Sequence, residues 1–139
     1  MSYLSSATTR SQFENRLRLI LLGEDWETQR LTWRRGNTLL LVNDTSLQLI
    51  LHGTAVITLC NEEITGGYHT LIIDFNGYDT VTTRDRMNMP LRPLALYVSQ
   101  EKGEQYLCRR GKGKVVRLHT HQPNEINIKE LNYARDRPD

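Results

Sequence analysis

The sequence predicts an α+β domain in which a strongly bent antiparallel sheet of about six or seven strands carries one N-terminal helix and one short inserted helix. Segments rich in Leu, Ile, Val and Thr recur between turn residues about 8 to 12 positions apart, the rhythm of an antiparallel sheet rather than of βαβ units. Helical spacing appears in only two places. The chain has 139 residues, 38% hydrophobic and 24% charged, enough for one core and too few for two.

The first helical stretch is "TTRSQFENRLRLILLG". Thr8, Thr9 and Ser11 are helix-start residues, Glu14 follows Ser11 by three, and Phe13, Leu17, Ile20 and Leu21 fall on one face. A helix over about 9–22 is expected, stopped by Gly23. The β-rich core then runs over about 28–121. "TQRLTWRRGNTLLLVN" reads as two strands joined at Gly36-Asn37, "SLQLILHGTAVITLC" as two more bent at His52-Gly53, and "GGYHTLIIDF" as another after the "EEITGG" turn.

In "NGYDTVTTRDRMN", Asn76-Gly77 is a turn, and Tyr78, Thr80 and Thr82 alternate with Asp79 and Val81 as in a strand. The pattern changes at Thr82. Thr82 with Asp85 three later reads as a helix cap, so the inserted helix is expected over about 83–89, ended by Pro90 and Pro93. Arg84 and Asn88, four apart, share a face of it. "LALYVSQEKGEQYLCRRGKGKVVRLHTH" follows as a strand, a turn at Lys102-Gly103, a second strand, a glycine-lysine loop and a last strand. Residues 122–139 form a polar tail, free to extend along a neighbour or to make one helical turn.

Charge is unevenly placed. Between Gly36 and Thr83 there is no Lys or Arg against Asp44, Glu62, Glu63, Asp74 and Asp79. Between Arg84 and Leu118 nine basic residues face only Asp85, Glu101 and Glu104. The split points to an anionic ligand near the second segment, or to a solvated hairpin.

Several classes are set aside. No segment approaches the roughly 20 apolar residues of a membrane span, and "MSYLSSATTRSQF" lacks a signal-peptide core, so a cytoplasmic protein is expected. Cys60 and Cys108 read as small buried thiols rather than a disulfide. His119 and His121 would share a strand face, but nothing completes a metal set, and no metal or cofactor is expected. No nucleophile elbow, zinc-protease helix, P-loop or dinucleotide turn is present, so the expectation is a non-enzymatic protein.

"LHGTAVI", "GGYHTLIIDFNGYDTVTTRDRMN" and "LYVSQEKGEQYL" together resemble a family of small phage and prophage proteins, over roughly 47–107. Gly77, Tyr78, Thr80, Thr82, Thr83, Arg86, Met87 and Asn88 occupy its motif positions, with Tyr78 where tryptophan is as frequent and Arg84 where lysine is common. In size, and in the spacing of Tyr78 from Asn88, the chain is also similar to phage anti-defence sponges of the anti-Thoeris and anti-CBASS type. That similarity implies a homo-oligomer that sequesters a cyclic nucleotide or cyclic ADP-ribose immune signal. Tyr78 would stack a base, Asn88 read its edge, Arg84, Arg86, Arg109, Arg110 and Lys112 clamp phosphates, and Thr82 and Thr83 offer the helix N-terminus. The competing expectations are a small DNA- or RNA-binding module using the basic hairpin Arg109–Arg117, and an inhibitor that binds a host protein by a sheet edge or the tail. In one sequence, a motif that merely builds a sheet-to-helix corner would look the same.

Overall fold

A computed structural model describes residues 2–4, 31–42, 46–60 and 70–128. The helix expected over 9–22, the turn at 62–67 and the tail beyond 128 lie outside the described residues. The α+β class holds.

Ten strands are described: β1 (Ser2–Leu4), β2 (Leu31–Arg35), β3 (Thr38–Val42), β4 (Ser46–Leu51), β5 (Thr54–Cys60), β6 (Thr70–Ile73), β7 (Leu96–Glu101), β8 (Glu104–Arg109), β9 (Gly113–Leu118) and β10 (Asn124–Asn127). They form two sheets rather than one bent one. A seven-stranded sheet has the order β1-β2-β3-β4-β5-β6-β10, and a three-stranded sheet the order β7-β8-β9. All described pairings are antiparallel except β1 with β2. Within the stretch expected to be a polar tail, Asn124–Asn127 pairs with β6 and buries Ile126 opposite Leu71.

The turns follow their glycines. His52-Gly53 and Lys102-Gly103 carry φ of 51° and 81°, and 52° and 80°. Positive φ at both central residues matches the right-handed twist of the flanking strands, which makes tight hairpins of β4–β5 and β7–β8. Between Leu49 and Ile50 the β4–β5 register shifts, so Val56 is the extra residue of a bulge, and both Val56 and Ile57 are buried.

The helix α1 (Val81–Leu91) links the two sheets. It buries Thr83, Met87 and Leu91 at intervals of four, with Met89 and Pro90 beside them. Met87, Met89 and Leu91 join one continuous apolar cluster with Leu40, Leu47, Leu49, Ile57, Leu59, Leu71 and Ile73 of the large sheet, Phe75 just beyond β6, and Leu96, Val98, Leu107 and Leu118 of the small sheet. Each such side chain contributes about 1.5–3 kcal/mol on burial, so the cluster is what joins the layers.

Three expectations about α1 are corrected. Thr80, not Thr82, is the N-cap: its Oγ1 accepts from Thr83 N at 3.2 Å, and its carbonyl accepts from Arg84 N at 3.0 Å. Residues 78–80 are loop rather than strand, because the Asn76-Gly77 turn is followed at once by the cap. Pro90 lies inside the helix, one residue from its end. Its missing N–H removes a single bond in the last turn, Arg92 N still reaches Asn88 O, and Arg92–Leu94 winds on as a 3-10 turn.

The other face of α1 holds the small sheet, and there Arg84 and Asn88 do share a face. Asn88 Nδ2 donates to Val98 O at 3.1 Å, and Val98 N donates to Asn88 Oδ1 at 2.6 Å. Arg84 Nη1 lies 2.7 Å from Asp79 O, 2.9 Å from Gln100 Oε1 and 3.2 Å from Gln105 Oε1.

These contacts set the expected effects of substitution in urea denaturation. Asn88→Ala lowers stability by about 1–3 kcal/mol, since two main-chain groups of Val98 lose their partners. Thr80→Ala lowers it by about 1 kcal/mol, while Thr82→Ala changes it by less than about 0.5 kcal/mol. Equal losses for the two threonines would return the cap to Thr82.

Candidate functional site

Where the β4–β5 hairpin, the β6–α1 loop and the first turn of α1 meet, they enclose a cleft of about 500 Å³, within the range of small-molecule sites. Leu51, Val56 and Phe75, all buried, make its floor. Its rim is polar: His52 and Thr54 from the hairpin, Asn76, Tyr78 and Thr80 from the loop, and Thr82 and Thr83 from α1. Among the described residues no Lys, Arg, Asp or Glu lines it.

The loop is held by its main chain. Tyr78 N donates to Phe75 O at 2.9 Å, Gly77 N to Thr120 O at 3.0 Å, and Asn76 N to Asp74 Oδ1 at 2.9 Å. Asn76 has φ 51° and Gly77 φ 80°, conformations that Asn and Gly tolerate best. His121 packs against the turn, its Nδ1 3.6 Å from where a Cβ on Gly77 would stand. Asn124 in turn fixes the segment bearing His121: its buried carboxamide donates to Ile73 O, His119 O and Gln122 O and accepts from His119 N. The result presents Tyr78 at the rim with 67% of its surface exposed.

Of the nine residues singled out from sequence, Tyr78, Thr82 and Thr83 line this cleft, and the other six do not. Asn88 is occupied by Val98. Arg84 is tied to Gln100 and Gln105, and Arg86 meets its neighbour Asp85 at 3.2 Å. Arg109 is buried on β8 with 4% exposure, so it is part of the fold and not of a basic surface. Arg110 is exposed and donates to Arg92 O at 3.1 Å, and Lys112 is exposed in the β8–β9 turn. His52, Thr54, Asn76 and Thr80 complete the lining and went unmarked in the sequence, where a turn residue, strand threonines and a cap carry no separate signal.

Two of the five cations of the basic hairpin meet nearby acids. Lys114 pairs with Glu101 and sits 4.6 Å from the centre of the Tyr106 ring, and Arg117 pairs with Glu104 at 2.9 Å. The Glu101 carboxylate holds the Lys114 ammonium above its ordinary range, and the hydrogen bond to Glu104 raises the Tyr106 hydroxyl. Cys60 is half-buried and Cys108 buried, both as free thiols. His119 follows the end of β9 and His121 lies in the next loop, and no group of three or more His, Cys, Asp or Glu gathers among the described residues. No helix among them is long and apolar enough to cross a membrane.

Comparison with protein-family models, with curated proteins and with solved structures returned no match.

The two arginines of "CRRG" are expected to behave differently in thermal and urea melts. Arg109→Ala costs more than about 1 kcal/mol because it empties a buried site, whereas Arg110→Ala and Lys112→Ala each stay within about 0.5 kcal/mol. A melt of the Arg109 variant superimposable on the parent would restore it to the surface.

Proposed function

We propose that the chain is a non-enzymatic binding protein whose cleft beside the N-terminus of α1 holds a small ligand with a planar ring. The observation that carries this reading is the cleft's construction: a buried apolar floor of Leu51, Val56 and Phe75 under a polar rim on which the Tyr78 ring stands two-thirds exposed. An exposed aromatic on a turn fixed by four main-chain and side-chain anchors suits stacking, since the ring is held without help from the ligand. In the context that the phage resemblance supplies, the ligand is a cyclic nucleotide or cyclic ADP-ribose immune signal, and the protein acts by sequestering it, as a homo-oligomer in the host cytoplasm. Thr82, at the start of α1, is placed to meet a ring's polar substituents, and the positive end of the helix favours any anionic group nearby.

The nucleic-acid reading has less support. With Arg109 buried, Lys114 and Arg117 paired with Glu101 and Glu104, and Arg84 engaged by glutamines, four of the nine cations are committed within the fold rather than ranged along a phosphate backbone.

Mass spectrometry of small molecules released from the denatured protein, after purification from a bacterium with active nucleotide-signalling defences, is expected to recover a ring-bearing ligand. Readding it at about 100 times its dissociation constant adds about 2.7 kcal/mol of stability. Tyr78→Leu leaves the melt of the free protein in place and weakens binding by about 1–3 kcal/mol. Undiminished affinity in that variant would move the site away from the cleft.

A further inference from the structure

We infer that the cleft reads the uncharged, base-bearing part of its ligand, with the Asn76 carboxamide on a nucleobase edge and the Tyr78 ring on its face, so that a nucleoside is a sufficient ligand. This rests on the cleft being the binding site and adds the ligand's chemical class.

The lining supplies the argument. Among the described residues a phosphate placed here would meet no lysine or arginine, and a charge drawn out of water without a partner is disfavoured. The nearest arginines along the chain are committed, Arg84 to Asp79 O and the glutamines, and Arg86 to Asp85. What the described lining offers is an apolar floor, threonine hydroxyls, the His52 imidazole, the Tyr78 ring and one carboxamide. A carboxamide presents a donor and an acceptor side by side, which is the complement of a base edge.

Asn76 is the amide in position to do this. It flanks Gly77 opposite Tyr78, so one turn carries both the edge reader and the stacking ring. One Asn76 Nδ2 hydrogen is directed to Thr54 Oγ1 at 3.2 Å, which orients the group. The other N–H and Oδ1 have no protein partner among the described residues. Asn88, by contrast, uses both of its amide groups on Val98. The Thr80 hydroxyl is taken up by the cap, which leaves that of Thr82 on the same rim to suit a sugar's hydroxyl.

Calorimetric titration of the full chain with adenosine, guanosine, cytidine and uridine, and with their monophosphates at low and high salt, tests this. At least one nucleoside is expected to bind, with its monophosphate within about threefold and little salt dependence. Asn76→Gly, which keeps the positive φ of the turn, is expected to weaken that nucleoside by about tenfold or more with the melt of the free protein unchanged. A monophosphate bound more than about thirtyfold tighter with steep salt dependence would overturn the inference. So would the absence of any nucleoside binding beside a cyclic-nucleotide response that Tyr78→Leu abolishes, an outcome that leaves the cleft as the site. Nucleoside binding that survives both Asn76→Gly and Tyr78→Leu would remove the cleft itself.

Discussion

Val98 lies on the outer strand of the three-stranded sheet, where its main-chain N–H and C=O face away from β8, and both are answered by the carboxamide of Asn88. A side chain here takes the place of a neighbouring strand. An edge left open is both a desolvation cost when covered by a helix and a template for pairing with other chains. Closing it with an amide lets α1 pack against the sheet without stranding either group. Four residues earlier on the same face, Arg84 adds a second tie, joining the loop carbonyl of Asp79 to the paired glutamines of β7 and β8. The opposite stripe buries Thr83 and carries Met87 and Leu91 into the shared apolar cluster. One helix therefore holds two sheets by unlike forces: directional polar bonds on one side and burial on the other.

That attachment decides where the cleft lies. With α1 pinned at Arg84 and Asn88, its first turn is held against the β4–β5 hairpin, and Thr82 and Thr83 become a wall rather than a frayed end. Thr83 serves both sides, buried below the cap and bonded to Thr80 Oγ1 at 3.1 Å. The opposite wall depends on Asn124, whose four hydrogen bonds tie the β9–β10 connection to β6 and so set His121 and Thr120 against the Asn76-Gly77 turn. Neither tie touches the cleft, yet both determine its shape.

Much of this was legible from residue types. Glycine after His, Asn or Lys marked three turns, and each has the left-handed backbone that such pairs favour. The strand expected at "SLQLIL" is there, and its Leu47, Leu49 and Leu51 are buried. The spacing of Arg84 and Asn88 put them on one face. The cap was misplaced because Thr80 and Thr82 obey the same rule, and the acid three after Thr82 favoured the wrong one; Asp85 instead meets Arg86. Pro90 was read as a stop because sequence shows the lost N–H but not the buried surface that offsets it. The division into two sheets, and the strand at Asn124–Asn127, depend on contacts across the chain that no local pattern encodes.

The charge split teaches the same lesson about sites. Nine cations crowded into one segment read as a field for an anion, but charge in sequence becomes potential in space only where its counter-ions lie elsewhere. Here Glu101 of β7 and Glu104 of β8 stand against Lys114 and Arg117 of β9 in the same small sheet. The acid-rich segment before Arg84, which seemed the less promising half, supplies most of the cleft, and supplies it with neutral groups. Within "NGYDTVTTRDRMN" the boundary falls between Thr83 and Arg84. Asn76 and Tyr78 before it face the cleft, Arg84 and Asn88 after it hold the small sheet, and the cap residue itself fixes the one set relative to the other. A single motif can then be scaffold and site at once, because a helix cap joins a turn that is free to present side chains to a helix that is not.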